Sequence, residues 1–380
     1  MRYQSTIFAQ LLEALPRDRF EQLAKPYRQG RSKRRLSDWD HFVAMVFAQA
    51  SGTRSLRDLE RVVERQPGVT AHLGMKHLKR STLSDANTKR PAAVFEAVAQ
   101  ALAGQLGGQT HAREAIRLID ATHMFAGART AHWTSSGGVK LHMMYEPGCD
   151  RPVCFAVTPE NVNDITMAQI MPIEPGATYV FDKAYYHFAF WAKIDAIGSR
   201  FVTRLKTHSP VQVITEKRVV REDTNIRRDA TVMLNQRLTA QRRNPLDKPL
   251  RMIDVEISTG RQIRLISNDL DSPAEEIAQL YKMRWQIELF FKWIKQNLKL
   301  SHFLGTSRNA IIIQIMSALI AYMLMRIASL KAKASLGLQA IARLSQALLL
   351  TRRPITDIFK PPLKPKPEEN PQLNLWPKNA

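Results

Sequence analysis

The sequence predicts an α/β fold: a mixed sheet with flanking helices, interrupted by a β-rich stretch and preceded by an all-α region. Three observations carry this expectation. IRLIDATHMF and TYVFDKAYY are short, apolar, β-branched runs, with Asp120 in the middle of the first and Asp182 where the strand of the second ends. Between them VKLHMMYE and PVCFAVTP read as two further strands and NDITMAQIM as a helix, so the order is β-β-β-α-β, followed by a helix from Tyr186 to about Ile197. The segment from about Lys206 to Leu270 then holds VQVITEKRVV, TVMLNQRL, LRMIDVEIST and RQIRLIS, all alternating and β-branched, which predicts an inserted β-rich unit.

The chain order before the insertion is that of an RNase H-like sheet, in which the first strand and the strand after the helix lie side by side and a later helix crosses their ends. YKMRWQIELFFKWIKQNLKL supplies that helix. At roughly 100° per residue Tyr281, Arg284, Glu288 and Lys295 fall within about 60° of one another. Ile287, Phe290, Phe291, Ile294 and Leu298 project from the other side. The polar stripe is either an ordinary solvated helix face or one carboxylate framed by two cations and a phenol. Asp120, Asp182 and Glu288 are expected to converge. An Asp inside a strand is costly unless paired or metal-bound, whereas an Asp just past a strand end can simply cap the next helix. Three carboxylates suit two Mg²⁺ ions, with Mn²⁺ as a substitute: such hard cations prefer oxygen ligands, and a pair about 4 Å apart stabilises both the attacking and the leaving oxygen of a phosphoryl displacement.

Y-x2-R-x3-E-x6-K, complete here as Tyr281, Arg284, Glu288 and Lys295, resembles the signature of bacterial insertion-sequence DDE transposases. Asp120-Ala121-Thr122 is similar to that family's first aspartate motif, and Asp182, Ala184 and Tyr185 to its second. Ser55-Leu56-Arg57-Asp58, His72-Leu73-Gly74 and the run from Arg80 to Asn87 resemble the helical N-terminal domain of one subgroup, so the likeness covers most of residues 1 to 330. The resemblance implies a DNA transposase that binds the terminal inverted repeats of its element and catalyses metal-dependent strand cleavage and strand transfer. It implies that Asp120, Asp182 and Glu288 are catalytic and hold the metals, that Arg284 and Lys295 engage phosphates near the scissile bond, and that Tyr281 positions the strand. It also implies a β-rich insertion at the place found, and at least two protomers, a homodimer, at synapsis. One departure stands out: relatives can carry a base-stacking Trp in the insertion, and no Trp lies between Trp191 and Trp285. The competing readings are a structure-specific nuclease on the same fold, and a DNA-binding regulator with a decayed site, which the three intact acidic positions disfavour.

Composition agrees with a polyanionic partner. The chain has 380 residues, a net charge of +22 and 44% hydrophobic residues, enough for two or three units with real cores. Its isoelectric point near 10.2 points to double-stranded DNA, both element ends and target. A membrane surface is the rival; the N-terminus lacks a signal pattern, and the charge-free run from Ala310 to Met325 reads as a buried helix. Cys149 and Cys154 alone make neither a disulfide framework nor a zinc site and fit a cytoplasmic setting. The expected division is 1–112 helical and DNA-binding, 113–205 the first part of the catalytic core, 206–272 the insertion, 273–330 the second part with the Glu288 helix, and 331–380 a helix and a Pro-rich tail. Within the first unit, RQGRSKRR at 28–35 offers Arg31, Lys33, Arg34 and Arg35 for phosphate contact, or is a solvated linker. Arg80 to Asn87, with a helix from about Pro91 to Leu106, reads either as a helix-turn-helix-like DNA reader led by Arg80 or as a connector in a bundle. A second basic set, Lys217, Arg227, Arg228, Arg242, Arg243 and Arg251, falls in the insertion.

Overall fold

Side-chain caps decide where several of the N-terminal helices begin. The computed structural model describes residues 5–28, 36–75, 78–107, 115–134, 136–217, 225–235, 237–239, 242–298, 300 and 302–360. Thr6 accepts from the Ala9 N–H to open α1 (Ile7–Leu12), and Pro16 separates it from α2 (Arg17–Ala24). Ser37 and Asp40 form a reciprocal capping box at the head of α3 (Asp38–Ser51), and Ser55 accepts from the Asp58 N–H at the head of α4 (Leu56–Arg65). A single turn, α5 (Pro67–Thr70), leads to α6 (Arg80–Lys89) and α7 (Ala93–Leu106). The basic run with Arg31, Lys33, Arg34 and Arg35 and the Pro-rich sequence from residue 361 lie outside the described residues.

The next elements are β1 (Ile116–Phe125), α8 (Ala131–Thr134), β2 (Gly138–Glu146), β3 (Arg151–Pro159), α9 (Asp164–Ile170), β4 (Thr178–Phe181), α10 (Phe188–Ala196) and β5 (Arg200–Arg204). Residues 206–272 supply β6 (Val211–Lys217), β7 (Ile226–Leu234), β8 (Arg237–Thr239), β9 (Arg242–Arg243), β10 (Leu250–Glu256) and β11 (Gln262–Ser267). Nine strands share one mixed sheet in the order β3-β2-β1-β4-β5-β11-β10-β7-β6, and β8 with β9 forms a separate ribbon. β1, β4 and β5 run parallel, and β11 continues the sheet by pairing antiparallel with β5. The strands of 206–272 therefore extend the central sheet. β1 and β2 form an antiparallel hairpin, and Gly127 and Gly137 lie in its connection on either side of the short helix α8 with φ values of +99° and +85°.

The chain closes with α11 (Ala274–Met283), α12 (Trp285–Asn297), α13 (Arg308–Lys331), α14 (Leu338–Leu348) and α15 (Thr356–Phe359). The expected single helix from Tyr281 to Lys295 is broken at Arg284. There the Arg284 N–H bonds the Tyr281 carbonyl and the Ile287 N–H bonds the Arg284 carbonyl, a locally tightened turn between α11 and α12. α13 is long and apolar enough to cross a membrane, yet here it is a core helix, packed against α3, α6 and α7. α3 is buried without interruption from His41 to Ala50, a pattern only an enclosed helix shows. Asn309 at the head of α13 ties these helices together: its side-chain nitrogen donates to the carbonyls of Asn87 and Arg90, and its oxygen accepts from Ala92.

Burial of His41 predicts an acid weakness of this layer. Its Nε2 donates to Asn87 Oδ1 at 2.7 Å, and burial drives its pKa down from 6.5 to about 4. The unfolded chain therefore takes up a proton that the folded chain refuses, so stability is complete above pH 6.5 and falls as pH drops towards 4. Thermal melts from pH 8 to pH 4 should show a loss from this group of up to about 3 kcal/mol, and the slope should be shallower in His41→Gln.

Candidate active site

Period-two alternation along β1 places Asp120 with Leu118 and Thr122 on one face, and α12 packs across β1. The parallel pairing of Ile119 with Phe181 brings the end of β4, and so Asp182, beside Asp120. Glu288 reaches the same place from α12: Arg284 Nη1 lies 2.6 Å from Glu288 Oε1 and 3.6 Å from Asp120 Oδ2. The sequence-predicted residues Asp120, Asp182, Arg284 and Glu288 are thus neighbours. Asp182 also acts as a simple cap, its Oδ1 accepting from the Ala184 N–H at 2.7 Å to fix the turn at Lys183–Tyr185. Asp120 Oδ1 accepts from the Ala121 N–H at 2.8 Å.

Burial raises the Asp120 carboxyl from 3.8 to about 6; the Ala121 N–H and Arg284 oppose the shift, and Asp182 and Glu288 add to it. Among the described residues no three acidic, His or Cys side chains stand close enough together to hold one ion. The Arg284 guanidinium lies within ion-pair distance of two of the carboxylates, Asp120 and Glu288. Tyr281 underlies Arg284, the guanidinium carbon lying 5.8 Å from its ring centre, and burial pushes the phenol up.

Asp120, Thr122 and Glu288 line an open pocket together with Lys292, Lys295 and Gln296. Lys295 is half-buried, and burial pulls its ammonium down. Lys292 was absent from the expected site, although it sits one turn beyond Glu288 on the same polar stripe and helical spacing alone identifies it. A neighbouring groove runs past Arg204, Arg227, Tyr281, Arg284 and Trp285 to the turn after β10, and Trp285 is 57% exposed there. Far from these residues in sequence, Arg80 is exposed at the head of α6, where it shares a groove with Arg57, Ser81 and Ser84.

Residues 111–324 match the family described as Transposase DDE domain. The chain belongs to the DDE transposase family. Residues 3–76 match a second family, a domain of unknown function (DUF4372). A protein of Sinorhizobium fredii bearing the transposase name y4zB is 40% identical over 289 residues, 74% of this chain and 80% of that protein. A protein of Geobacillus stearothermophilus named as a transposase of insertion sequence element IS5377 is 30% identical over 222 residues, 56% of each chain. Among solved structures, a piggyBac transposase synaptic complex with hairpin DNA aligns with a TM-score of 0.47 and 12% identity, covering 92% of this chain and 81% of that one. The transposase thus has its family match centred on the segment that carries all three acidic positions.

Proposed function

We propose that this transposase binds the terminal inverted repeats of its own insertion sequence and cuts and joins DNA strands with Asp120, Asp182 and Glu288 as metal ligands. The observation that carries this reading is the convergence of Asp120 and Glu288 on one pocket rimmed by Lys292 and Lys295, with Asp182 alongside on the adjacent parallel strand. The strand order β3-β2-β1-β4-β5 with α12 across β1 supports an RNase H-like core, which 206–272 interrupts as a β-rich insertion.

The donor set suits Mg²⁺ or Mn²⁺. All three side chains offer carboxylate oxygens, and Asp120 with Glu288 already draws one cation, Arg284, to itself. Two such ions would polarise the scissile phosphate and stabilise the attacking and leaving oxygens. The attacking group is water in cleavage and a DNA 3′-hydroxyl in strand transfer. Lys292 and Lys295 hold flanking phosphates, and Tyr281 supports Arg284 against the strand. Residues 1–112 carry the DNA-reading surface, with Arg80 and the basic residues Arg31, Lys33, Arg34 and Arg35 on phosphates. Two protomers, as a homodimer, bring the two ends together in the bacterial cytoplasm.

Incubating the full-length protein with a labelled element end, a target duplex and Mg²⁺, then mapping the products, tests this directly. Joined products support it. Cleavage with no joining at any target concentration would reassign the protein to the nucleases. Within that assay Lys295→Ala should slow cleavage by up to about 100-fold and blur its position, because a phosphate loses its anchor two turns from Glu288. Lys295→Gln should recover little, the charge being absent. A cut at the wild-type rate and position in Lys295→Ala would reduce the residue to solvated surface.

A further inference from the structure

Arg284 stands where two demands meet. Its Nη1 reaches both Glu288 Oε1 and Asp120 Oδ2, at 2.6 and 3.6 Å, and it sits in the turn that joins α11 to α12. Its Nε is buried without a hydrogen-bond partner among the described residues, and the groove beyond it also holds Arg204, whose Nε is likewise unpartnered. A guanidinium carries its donors in a rigid fork, so one edge can serve carboxylates while another is presented to a phosphate.

We propose that Arg284 is an internal counter-ion that competes with the divalent metals for Asp120 and Glu288, and that its release couples metal loading to capture of a DNA phosphate. This rests on the reading that those carboxylates hold metal. A cation within ion-pair distance of two ligands must give way when a divalent ion takes them, since like charges do not share a carboxylate pair cheaply. The hinge position lets the side chain leave without unwinding either helix. Its freed donors then face the groove lined by Arg204 and Tyr281. Arg284 is a positioning residue in this scheme, and the coupling is reciprocal: whatever Arg284 takes from metal affinity, a phosphate that captures Arg284 returns.

The test is Mn²⁺ binding by the full-length protein in the absence of DNA, read by calorimetry and by the metal-induced shift in melting temperature. Arg284→Gln should bind Mn²⁺ about five- to tenfold more tightly than wild type. Arg284→Lys, which keeps the charge, should stay close to wild type. Arg284→Gln should also melt lower than wild type without metal and gain more on adding Mn²⁺, because two neighbouring carboxylates have lost their neutralising partner. Arg284→Ala provides the same comparison if the glutamine variant fails to fold. Equal or weaker Mn²⁺ binding in folded Arg284→Gln or Arg284→Ala overturns the competition while leaving the metal site standing. Absence of Mn²⁺ binding in wild type and variants alike overturns both the competition and the metal-ligand assignment.

Discussion

Asp120→Asn, Asp182→Asn and Glu288→Gln should each abolish cleavage of element ends, by about 1,000-fold or more, while end binding persists. The three sit on different elements, β1, the turn after β4, and α12, so no single local distortion explains a common loss. Asp120 and Glu288 line one pocket and Asp182 lies beside Asp120 at the end of the adjacent strand, and a metal site shared among the three would make their effects grossly non-additive: a double substitution should be scarcely worse than a single one. The folded state should tolerate the changes. Replacing the half-buried Asp120, whose carboxyl burial already pushes towards neutrality, by a neutral amide relieves a desolvation cost. Glu288→Gln removes the closer of the two ion pairs made by Arg284, so in this variant Arg284 should be left to Asp120. Near-normal Mg²⁺-dependent cleavage by any one of the three would remove that residue from the ligand set. Loss of end binding in all three would point instead to a structural role.

The strands of the central sheet were legible because each is a local signal. β1 to β4 are short apolar or β-branched runs whose ends are marked by turns, and an Asp inside or just past such a run needs an explanation that packing does not offer, whereas the short β5 was not singled out. The polar stripe on α12 was legible for the same reason, and Lys292 was overlooked although the same periodicity contains it. The chain order placed β1 beside β4, but sequence did not place the pairing of the strands of 206–272 with the rest of the sheet. Antiparallel pairing of β11 with β5 turns 206–272 into an extension of the central sheet, and nothing in RQIRLIS or RFVTR names the other as its partner. The break at Arg284 was hidden too. Neither Pro nor Gly marks it, and it shows only in the hydrogen-bond spacing of the turn.

The same limit applies to α13, and from it comes the second large effect. Read along the chain, residues 1–112 form a self-contained helical unit; in space, α13 supplies part of its interior. Ile311, Ile315, Leu319 and Met323 are fully buried on α13, and the helix packs against α3, α6 and α7. Each such side chain stabilises by about 1.5 to 3 kcal/mol when removed from water, and a whole domain nets only about 5 to 15 kcal/mol. Omitting α13 therefore costs the bundle roughly as much as its total stability, and also strands the Asn87 and Arg90 carbonyls that Asn309 satisfies. The far end is held as well, where the Ile7 N–H bonds the Thr351 carbonyl. A fragment of residues 1–112 should accordingly aggregate or melt without cooperativity. Fusing residues 302–360 to it through a flexible linker should restore a cooperative transition and, with it, binding to element ends. Calorimetry on both fragments decides the point: a sharp, reversible melt of 1–112 alone would mean that α13 rests on a finished domain rather than completing one.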